Sequence, residues 1–159
     1  MPRSVGDVAP DFSLPAGPGP DRVTLSEFRG ERPVVVLFFP LAFSSVCTDE
    51  LCAVGQALES FGELDARVLA ISVDSPFVTQ RFARELDAGF PVLSDFNKEA
   101  MTAYDVVYED FFGLRGVAKR SVFVVDRDGV IRYAWVTEDA DRLPDLDAVR
   151  DALAALPPG

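Results

Sequence analysis

Two cysteines, Cys47 and Cys52, stand five residues apart and are the only ones in this chain of 159 residues. A cysteine thiolate is a nucleophile and a redox centre, so its surroundings decide what chemistry it does. The chain contains no histidine. That excludes cysteine–histidine enzymes, serine–histidine–aspartate hydrolases and most transition-metal sites. Activation of a cysteine must therefore come from helix geometry, arginine side chains and hydrogen bonds.

The segments around Cys47 predict a reactive position for this thiol. Before it lies the most apolar run of the chain, residues 34–39, bounded by Pro33 and Pro40, which is typical of a buried central strand. After it, apolar residues recur on one face of a predicted helix over 48–63, at Leu51, Val54, Leu58 and Phe61. Cys47 then lies in the first turn, where unpaired N–H groups and the helix dipole stabilise an anion such as a thiolate.

The rest of the chain alternates between strand and helix patterns. It predicts a strand at Val23–Leu25 with Ser26 as a helix N-cap, a strand over 67–73, a helix from Pro76 to about Asp87, a strand over 90–93 and a helix over 98–104. A hairpin of strands 121–125 and 130–135 around Asp126–Gly129 follows, and then a helix over 146–156 stopped by Pro157 and Pro158. This order predicts one α/β domain, residues 1–159, with a thioredoxin-like mixed sheet flanked by helices.

Composition restricts the classes of partner and the cellular compartment that we expect for this protein. A hydrophobic content of 48% fits one globular core, and a net charge of −11 argues against nucleic acid or an anionic membrane as a partner. The N-terminus lacks the apolar core of a secretory signal, and the apolar stretch over 33–43 is too short to span a bilayer. We therefore expect a cytoplasmic protein, in which two cysteines are redox-active rather than a structural disulfide.

We predict no metal site at either of the two acidic segments of the chain. Asp126–Gly129 is a turn that lacks the further ligands of a calcium loop, and residues 138–141 are predicted to form a solvated loop. We expect neither a metal nor a cofactor.

The residues around Cys47 resemble a known family. Pro40-x-x-x-Ser44-x-x-Cys47 is similar to the peroxiredoxin motif Pro-x-x-x-Thr/Ser-x-x-Cys. The context from Phe39 to Phe43 resembles the one-cysteine alkyl hydroperoxide reductase E group, whereas the Cys-x4-Cys spacing is that of the bacterioferritin comigratory protein group. The resemblance extends over nearly the whole chain, through residues 6–12, 71–75, 90–95 and 120–126.

This resemblance implies a thiol-dependent peroxidase that reduces hydrogen peroxide, organic hydroperoxides or both. It implies that Cys47 is the peroxidatic cysteine, oxidised to sulfenic acid, and that Ser44 hydrogen-bonds the peroxide. Pro40 would shield the site from solvent, and Arg120 would be the positive partner of the sulfur. Glu50 would orient the arginine, although a first-turn acid favoured by the helix dipole explains it equally well.

Cys52 has two interpretations. The resemblance to the comigratory protein group implies that Cys52 resolves the sulfenic acid as an intramolecular disulfide. Five residues of intact helix separate the two Cα atoms by about 8–9 Å, beyond the ~7 Å that a disulfide allows, so the first turns must then unwind. Alternatively, Cys52 packs as a small apolar residue in a one-cysteine enzyme that an external thiol resolves.

Two other functions stay open at this stage. A thiol–disulfide oxidoreductase of the thioredoxin type would need Cys-x-x-Cys, which the spacing here does not match. A non-enzymatic partner or holdase with a thioredoxin fold would leave Cys47 unreactive.

An ordinary thiol with a pKa of about 8.5 is only about 3% ionised at pH 7, so full ionisation accelerates attack by roughly 30-fold at most. A fast peroxidase also needs donors aimed at the peroxide oxygens in the transition state.

The resemblance also implies partners. The reductant would be thioredoxin, a glutaredoxin-like protein or a low-molecular-weight thiol. The protein would form a homodimer through the edge near the active-site loops, where Phe111 and Phe112 are candidate exposed aromatics. Together with Leu41 and Phe43, these side chains make an organic peroxide plausible as the substrate.

Overall fold

A computed structural model describes residues 1–157. The strands are β1 (Ser13–Pro15), β2 (Arg22–Thr24), β3 (Val34–Phe38), β4 (Arg67–Ser72), β5 (Val92–Ser94), β6 (Val107–Tyr108), β7 (Val117–Ala118), β8 (Ser121–Val125) and β9 (Ile131–Val136). The helices are α1 (Ser45–Glu63), α2 (Pro76–Glu85), α3 (Glu99–Ala103) and α4 (Leu146–Ala154), with a short 3-10 helix at Leu25–Phe28. Within this part of the chain, no helix is long and apolar enough to cross a membrane.

A five-stranded sheet in the order β5-β4-β3-β8-β9 organises the fold. Strands β3, β4 and β5 run parallel, whereas β8 runs antiparallel to β3 and β9 antiparallel to β8. Every residue of β3 is buried, as expected for the central strand of a sheet covered on both faces. The predicted thioredoxin-like α/β fold with a mixed sheet is confirmed.

Each face of the sheet has its own apolar core. On one face, side chains of α1, α2 and α4 pack on the alternate strand residues, among them Leu51, Phe82 and Val149. On the other face, α3 and the N-terminal segment pack around Phe38 and Tyr104, whose rings lie 5.3 Å apart. Helix α1 thus lies against the sheet with one face buried, and the start of this helix stands at the carboxyl end of β3.

Several predicted boundaries were wrong by a few residues. Helix α1 begins at Ser45, three residues before the predicted start, because Ser44 provides the N-cap ahead of the first periodic apolar residue. Ser26 is not an N-cap: it lies inside the 3-10 helix, and its N–H donates to Asp11 Oδ1. Strand β5 begins at Val92 rather than Phe90, since Pro91 has no N–H for a ladder.

The remaining differences lie at other element ends. Strand β2 ends at Thr24 instead of Leu25, β4 at Ser72 instead of residue 73, and β9 spans 131–136 instead of 130–135. Helices α2, α3 and α4 are one or two residues shorter at their ends than predicted. The short strands β1, β6 and β7 were not predicted. Pro158 of the predicted helix stop lies outside the described residues.

Candidate active site

The loop between β3 and α1, residues 39–44, places Cys47 in the first turn of the helix. Ser44 caps α1: its Oγ accepts the backbone N–H of Cys47 at 3.4 Å and donates to the carbonyl of Leu41 at 3.2 Å. The side chain of Cys47 is fully buried. Pro40 is also buried, at the start of the loop. The thiol therefore sits at the positive end of the helix and is closed off from bulk water.

Arg120, the residue just before β8, contacts the sulfur. Because Phe38 pairs with Ser121 in antiparallel register, Arg120 stands beside the carboxyl end of β3. Its guanidinium is buried, and Nη2 donates to Sγ of Cys47 at 3.3 Å. Nη1 donates to Glu50 Oε1 at 2.7 Å and Nε to the carbonyl of Ala140 at 2.9 Å. The planar group is thus held on three sides inside the protein, unlike the arginine of an ordinary surface ion pair.

Glu50 completes a buried charge cluster. It lies three residues after Cys47 on the same face of α1 and is 1% exposed. Burial raises the pKa of Glu50 from 4.5 to about 7, although the adjacent Arg120 guanidinium acts in the opposite direction. Among the described residues, the second carboxylate oxygen, Oε2, has no hydrogen-bond partner. Burying a carboxyl group that gains only one ion pair in return lowers the stability of the fold. Residues buried at such a cost are typical of functional sites.

Arg120 stays a cation in this cluster. Burial alone would lower its pKa, but the neighbouring Glu50 carboxylate and Cys47 thiol outweigh that effect and raise the pKa above its ordinary value. The arginine can therefore hold negative charge on sulfur or on an oxygen bound beside it. No group of three or more metal-ligating side chains occurs within residues 1–157.

Cys52 lies on the same helix in a different environment. Its thiol is exposed and free, whereas that of Cys47 is buried and free. The alternative in which Cys52 packs as a buried apolar residue is therefore wrong. Both cysteines lie inside one continuous helix, Ser45–Glu63.

Two contacts of the site were not predicted. Residues 138, 139 and 141 are exposed as expected of a solvated loop, yet the carbonyl of Ala140 in their midst receives the Arg120 Nε–H. Asp74, just after β4, accepts the N–H of Ala42 in the 39–44 loop at 2.7 Å. No sequence signal reveals a backbone carbonyl as a ligand. For Asp74, the position at the carboxyl end of a strand next to β3 was the available hint.

The candidate exposed aromatics lie on the segment between β6 and β7. Phe112 is 88% exposed, whereas Phe111 is half-buried and stacks on Tyr108 with ring centroids 5.4 Å apart. Phe111 and Leu114 form an isolated antiparallel bridge, and Leu114 is also exposed. A small apolar surface thus projects from this segment.

Comparison with known proteins identifies the family. The model of the AhpC/TSA family matches residues 5–134. The chain is a peroxiredoxin of this family. This peroxiredoxin is 39% identical over 155 residues to alkyl hydroperoxide reductase E of Mycobacterium tuberculosis, a match that covers 96% of this chain and 97% of the relative.

Solved structures agree with this assignment. Peroxidoxin BcpB from Mycobacterium tuberculosis superposes with a TM-score of 0.83 at 28% identity, covering 97% of this chain and 98% of the other. The bacterioferritin comigratory protein of Xanthomonas campestris gives 0.78 at 27% identity, covering 91% and 90%. Both groups predicted from the sequence therefore recur among the similar proteins.

The enzyme is a thiol peroxidase. This confirms the activity expected from the sequence. The two alternative functions, a thioredoxin-type oxidoreductase and a non-enzymatic partner, are not supported. Membership of the family also implies a peroxide as substrate and a thiol as reductant.

Proposed function

We propose that Cys47 is the peroxidatic cysteine of this thiol peroxidase. The observation that carries the proposal is the 3.3 Å contact between Arg120 Nη2 and Cys47 Sγ, made by a guanidinium that Glu50 and Ala140 hold in place. The thiolate attacks one peroxide oxygen, an S–O bond forms and the O–O bond breaks. The second oxygen leaves with the electron pair of that bond and takes up a proton, giving water or an alcohol and a sulfenic acid on Cys47.

Three groups would stabilise the negative charge as it moves from sulfur to the leaving oxygen. The Arg120 guanidinium contacts the sulfur, the Ser44 hydroxyl accepts the backbone N–H of Cys47, and Cys47 lies in the first turn of α1, where N–H groups lack helical partners. Pro40 would keep water from the thiolate. Glu50 is assigned as a positioning residue, because it contacts the arginine and not the sulfur.

Cys52 would then resolve the sulfenic acid. Its thiol attacks the Cys47 sulfur, an S–S bond forms, and the hydroxyl leaves as water with the proton of the Cys52 thiol. The exposure of Cys52 supports this role, because a reductant can reach the resulting disulfide and restore both thiols with two electrons. The continuous helix Ser45–Glu63 must open first.

The second candidate mechanism is a one-cysteine cycle. The burial of Cys47 within an unbroken helix favours it, since the sulfenic acid would then wait for an external thiol with α1 intact. The two cycles differ in the first stable product, which is a Cys47–Cys52 disulfide in one and a lone sulfenic acid in the other.

Mass spectrometry after one equivalent of peroxide separates these cycles. We expect the intact protein to lose two mass units, with peptides joined through Cys47 and Cys52. The control Cys52→Ala should gain one oxygen at Cys47 at the wild-type rate and then over-oxidise more easily. A wild-type protein that gains one oxygen and forms no disulfide contradicts the role of Cys52 and leaves the one-cysteine cycle.

Substrate, reductant and assembly complete the proposal. Phe43, half exposed on the loop beside Cys47, offers an apolar contact for an organic hydroperoxide alongside hydrogen peroxide. The reductant would be thioredoxin, a glutaredoxin-like protein or a small thiol, and we expect the enzyme in the cytoplasm. The exposed Phe112 and Leu114 support a homodimer. A monomeric mass by light scattering at micromolar concentration would contradict the dimer.

A further inference from the structure

Asp74 ties the active-site loop to the neighbouring strand. It follows β4 at the carboxyl end of the sheet, and Oδ2 accepts the backbone N–H of Ala42 at 2.7 Å. The same oxygen accepts the hydroxyl of Ser72 at 2.6 Å. Ala42 lies in the middle of the 39–44 loop, two residues before the Ser44 cap. Bonds to an ionised acceptor are about twice as strong as neutral ones, so this is a firm tether.

Little else holds the centre of that loop. Within residues 1–157, the bond from Ala42 to Asp74 is the one side-chain hydrogen bond that joins residues 40–44 to a distant segment. Phe43 has a φ of 69°, a left-handed conformation that costs energy for a bulky residue. Its ring is 49% exposed and packs on Phe82 with centroids 4.9 Å apart. A strained loop with one polar anchor is poised to open when that anchor is lost.

We propose that Asp74 is a positioning residue that sets the balance between a closed and an opened active site. In the closed form, the tether on Ala42 holds Pro40 and Ser44 around Cys47. In the opened form, the loop and the first turn of α1 leave the sheet. Asp74 touches neither sulfur and acts through the Ala42 N–H alone.

The two half-reactions should then respond differently when the tether is removed: disulfide formation accelerates and attack on the peroxide does not, an argument that rests on the proposed resolution by Cys52. Attack on the peroxide needs the closed form, in which the donors surround the sulfur. Disulfide formation needs the opened form, because both cysteines lie in one helix. Loss of a charge-assisted hydrogen bond changes such an equilibrium by about tenfold or more. A residue that merely stabilises the fold would not accelerate one step.

The test compares Asp74→Ala and Asp74→Asn with wild type by rapid quenching and mass spectrometry. We expect the Ala variant to form the Cys47–Cys52 disulfide about tenfold faster, to over-oxidise less and to react with peroxide no faster than wild type. The Asn variant keeps a neutral acceptor for the Ala42 N–H, so its rates should fall between the two. If the Ala variant does not fold, the Asn variant still tests the proposal, because its disulfide should form faster than that of wild type.

Asp11→Ala is the matched control. Asp11 Oδ1 likewise accepts a backbone N–H from another segment, that of Ser26 at 2.9 Å, but among the described residues its side chain accepts hydrogen bonds only from Phe12 and Ser26, not from the 39–44 loop. This control should keep wild-type rates for both steps. The proposal is overturned if Asp74→Ala forms the disulfide within twofold of the wild-type rate, if both steps slow together, or if Asp11→Ala behaves in the same way.

A second measurement separates this inference from the role of Cys52. In the closed form, the backbone N–H of Cys47 donates to Ser44 Oγ. In reduced protein that carries Cys52→Ala, the further substitution Asp74→Ala should increase the hydrogen-exchange rate of this N–H by about tenfold. If wild type forms no disulfide yet this exchange increases, the proposed resolution fails and the tether stands. If wild type forms the disulfide but Asp74→Ala changes neither the hydrogen exchange of Cys47 nor the rate of disulfide formation, the proposed role of Asp74 is wrong and that of Cys52 is unaffected.

Discussion

Cys47 and Cys52 share one helix and differ in nearly everything that governs a thiol. Cys47 is buried, lies in the first turn of α1 and accepts a hydrogen bond from a buried arginine. Cys52 is exposed and lies beyond the first turn, where the N-terminal N–H groups are already paired within the helix. The comparison shows that the tertiary contacts from Arg120, just before β8, and from the 39–44 loop, rather than the residue type, distinguish the two sulfurs.

The largest expected effect is the asymmetry between serine substitutions at the two positions. Cys47→Ser should abolish peroxide turnover with the fold intact, because serine is a poor nucleophile of almost the same size. Cys52→Ser should still consume one equivalent of peroxide. Stopped-flow measurement of peroxide loss, with circular dichroism to check folding, tests both variants. Residual turnover above about a tenth of wild type in Cys47→Ser would remove its assignment as nucleophile.

Arg120 provides the next test of what distinguishes the two sulfurs. Arg120→Ala should slow the oxidation of Cys47 by more than roughly 30-fold, the ceiling for a pure ionisation effect at pH 7. The deficit should persist at pH 9, where an ordinary thiol is mostly ionised. Peroxide consumption in single-turnover mode measures the loss at both pH values.

Arg120→Lys serves as the control for this prediction. It keeps the positive charge and avoids leaving Glu50 buried without a cation, which is costly to the fold. A point charge with one ammonium group cannot reproduce the fixed contacts to Cys47, Glu50 and Ala140, so this variant should be slowed less than Arg120→Ala but not restored. A loss within the 30-fold ceiling that vanishes at pH 9 would show that the arginine acts on ionisation alone.

The smallest expected effect concerns the pH dependence of stability. The folded-state pKa of Glu50, about 7, lies above its ordinary value of 4.5, so the folded protein retains this proton longer than the unfolded chain does. The stability it contributes is therefore present in full below about pH 4.5 and is lost as the pH rises to about 7. In a Cys47→Ser background, urea unfolding should show a decrease of roughly 1–3 kcal/mol over this range.

The matched variant is Glu50→Gln in the same background. Glutamine keeps the size of the side chain and an acceptor for Arg120 but cannot titrate. The difference in unfolding free energy between the two proteins should therefore change between pH 4.5 and 7 and be constant at lower pH. A difference that does not vary with pH would mean that Glu50 is not held at a raised pKa in the folded protein.

The sequence predicted the parts of the fold that depend on local pattern. Residues 34–38 are apolar throughout and form the central strand, and the 121–125 hairpin strand was placed correctly. The strands β6 and β7 are two residues long, too short for any periodicity, and escaped prediction. The start of α1 was placed late because the first turn carries no apolar period, and only the Ser44 side chain marks it.

The site was predictable to the extent that side-chain type carries information. Cys47, Ser44 and Arg120 were named from the family motif, and the structure brings them together: Ser44 Oγ accepts the backbone N–H of Cys47, and Arg120 donates to its sulfur. Asp74 escaped because its role depends on one backbone N–H that lies 32 residues away. A neighbour of this kind is specified by strand order, which no local pattern contains.

The register between β3 and β8 has a consequence for the order in which the protein is made. Arg120 follows Cys47 by 73 residues, so a growing chain carries the thiol long before the arginine has been synthesised. Until β8 is added in register, that sulfur lacks the contact that sets it apart, and a slip of one residue would turn Arg120 to the opposite face of the sheet. An unfinished or misfolded molecule would therefore meet peroxide with an ordinary thiol. With Cys47 as the proposed peroxidatic cysteine, rapid oxidation would be a property that the protein acquires only when its sheet is complete, and it could be used to time that event during folding.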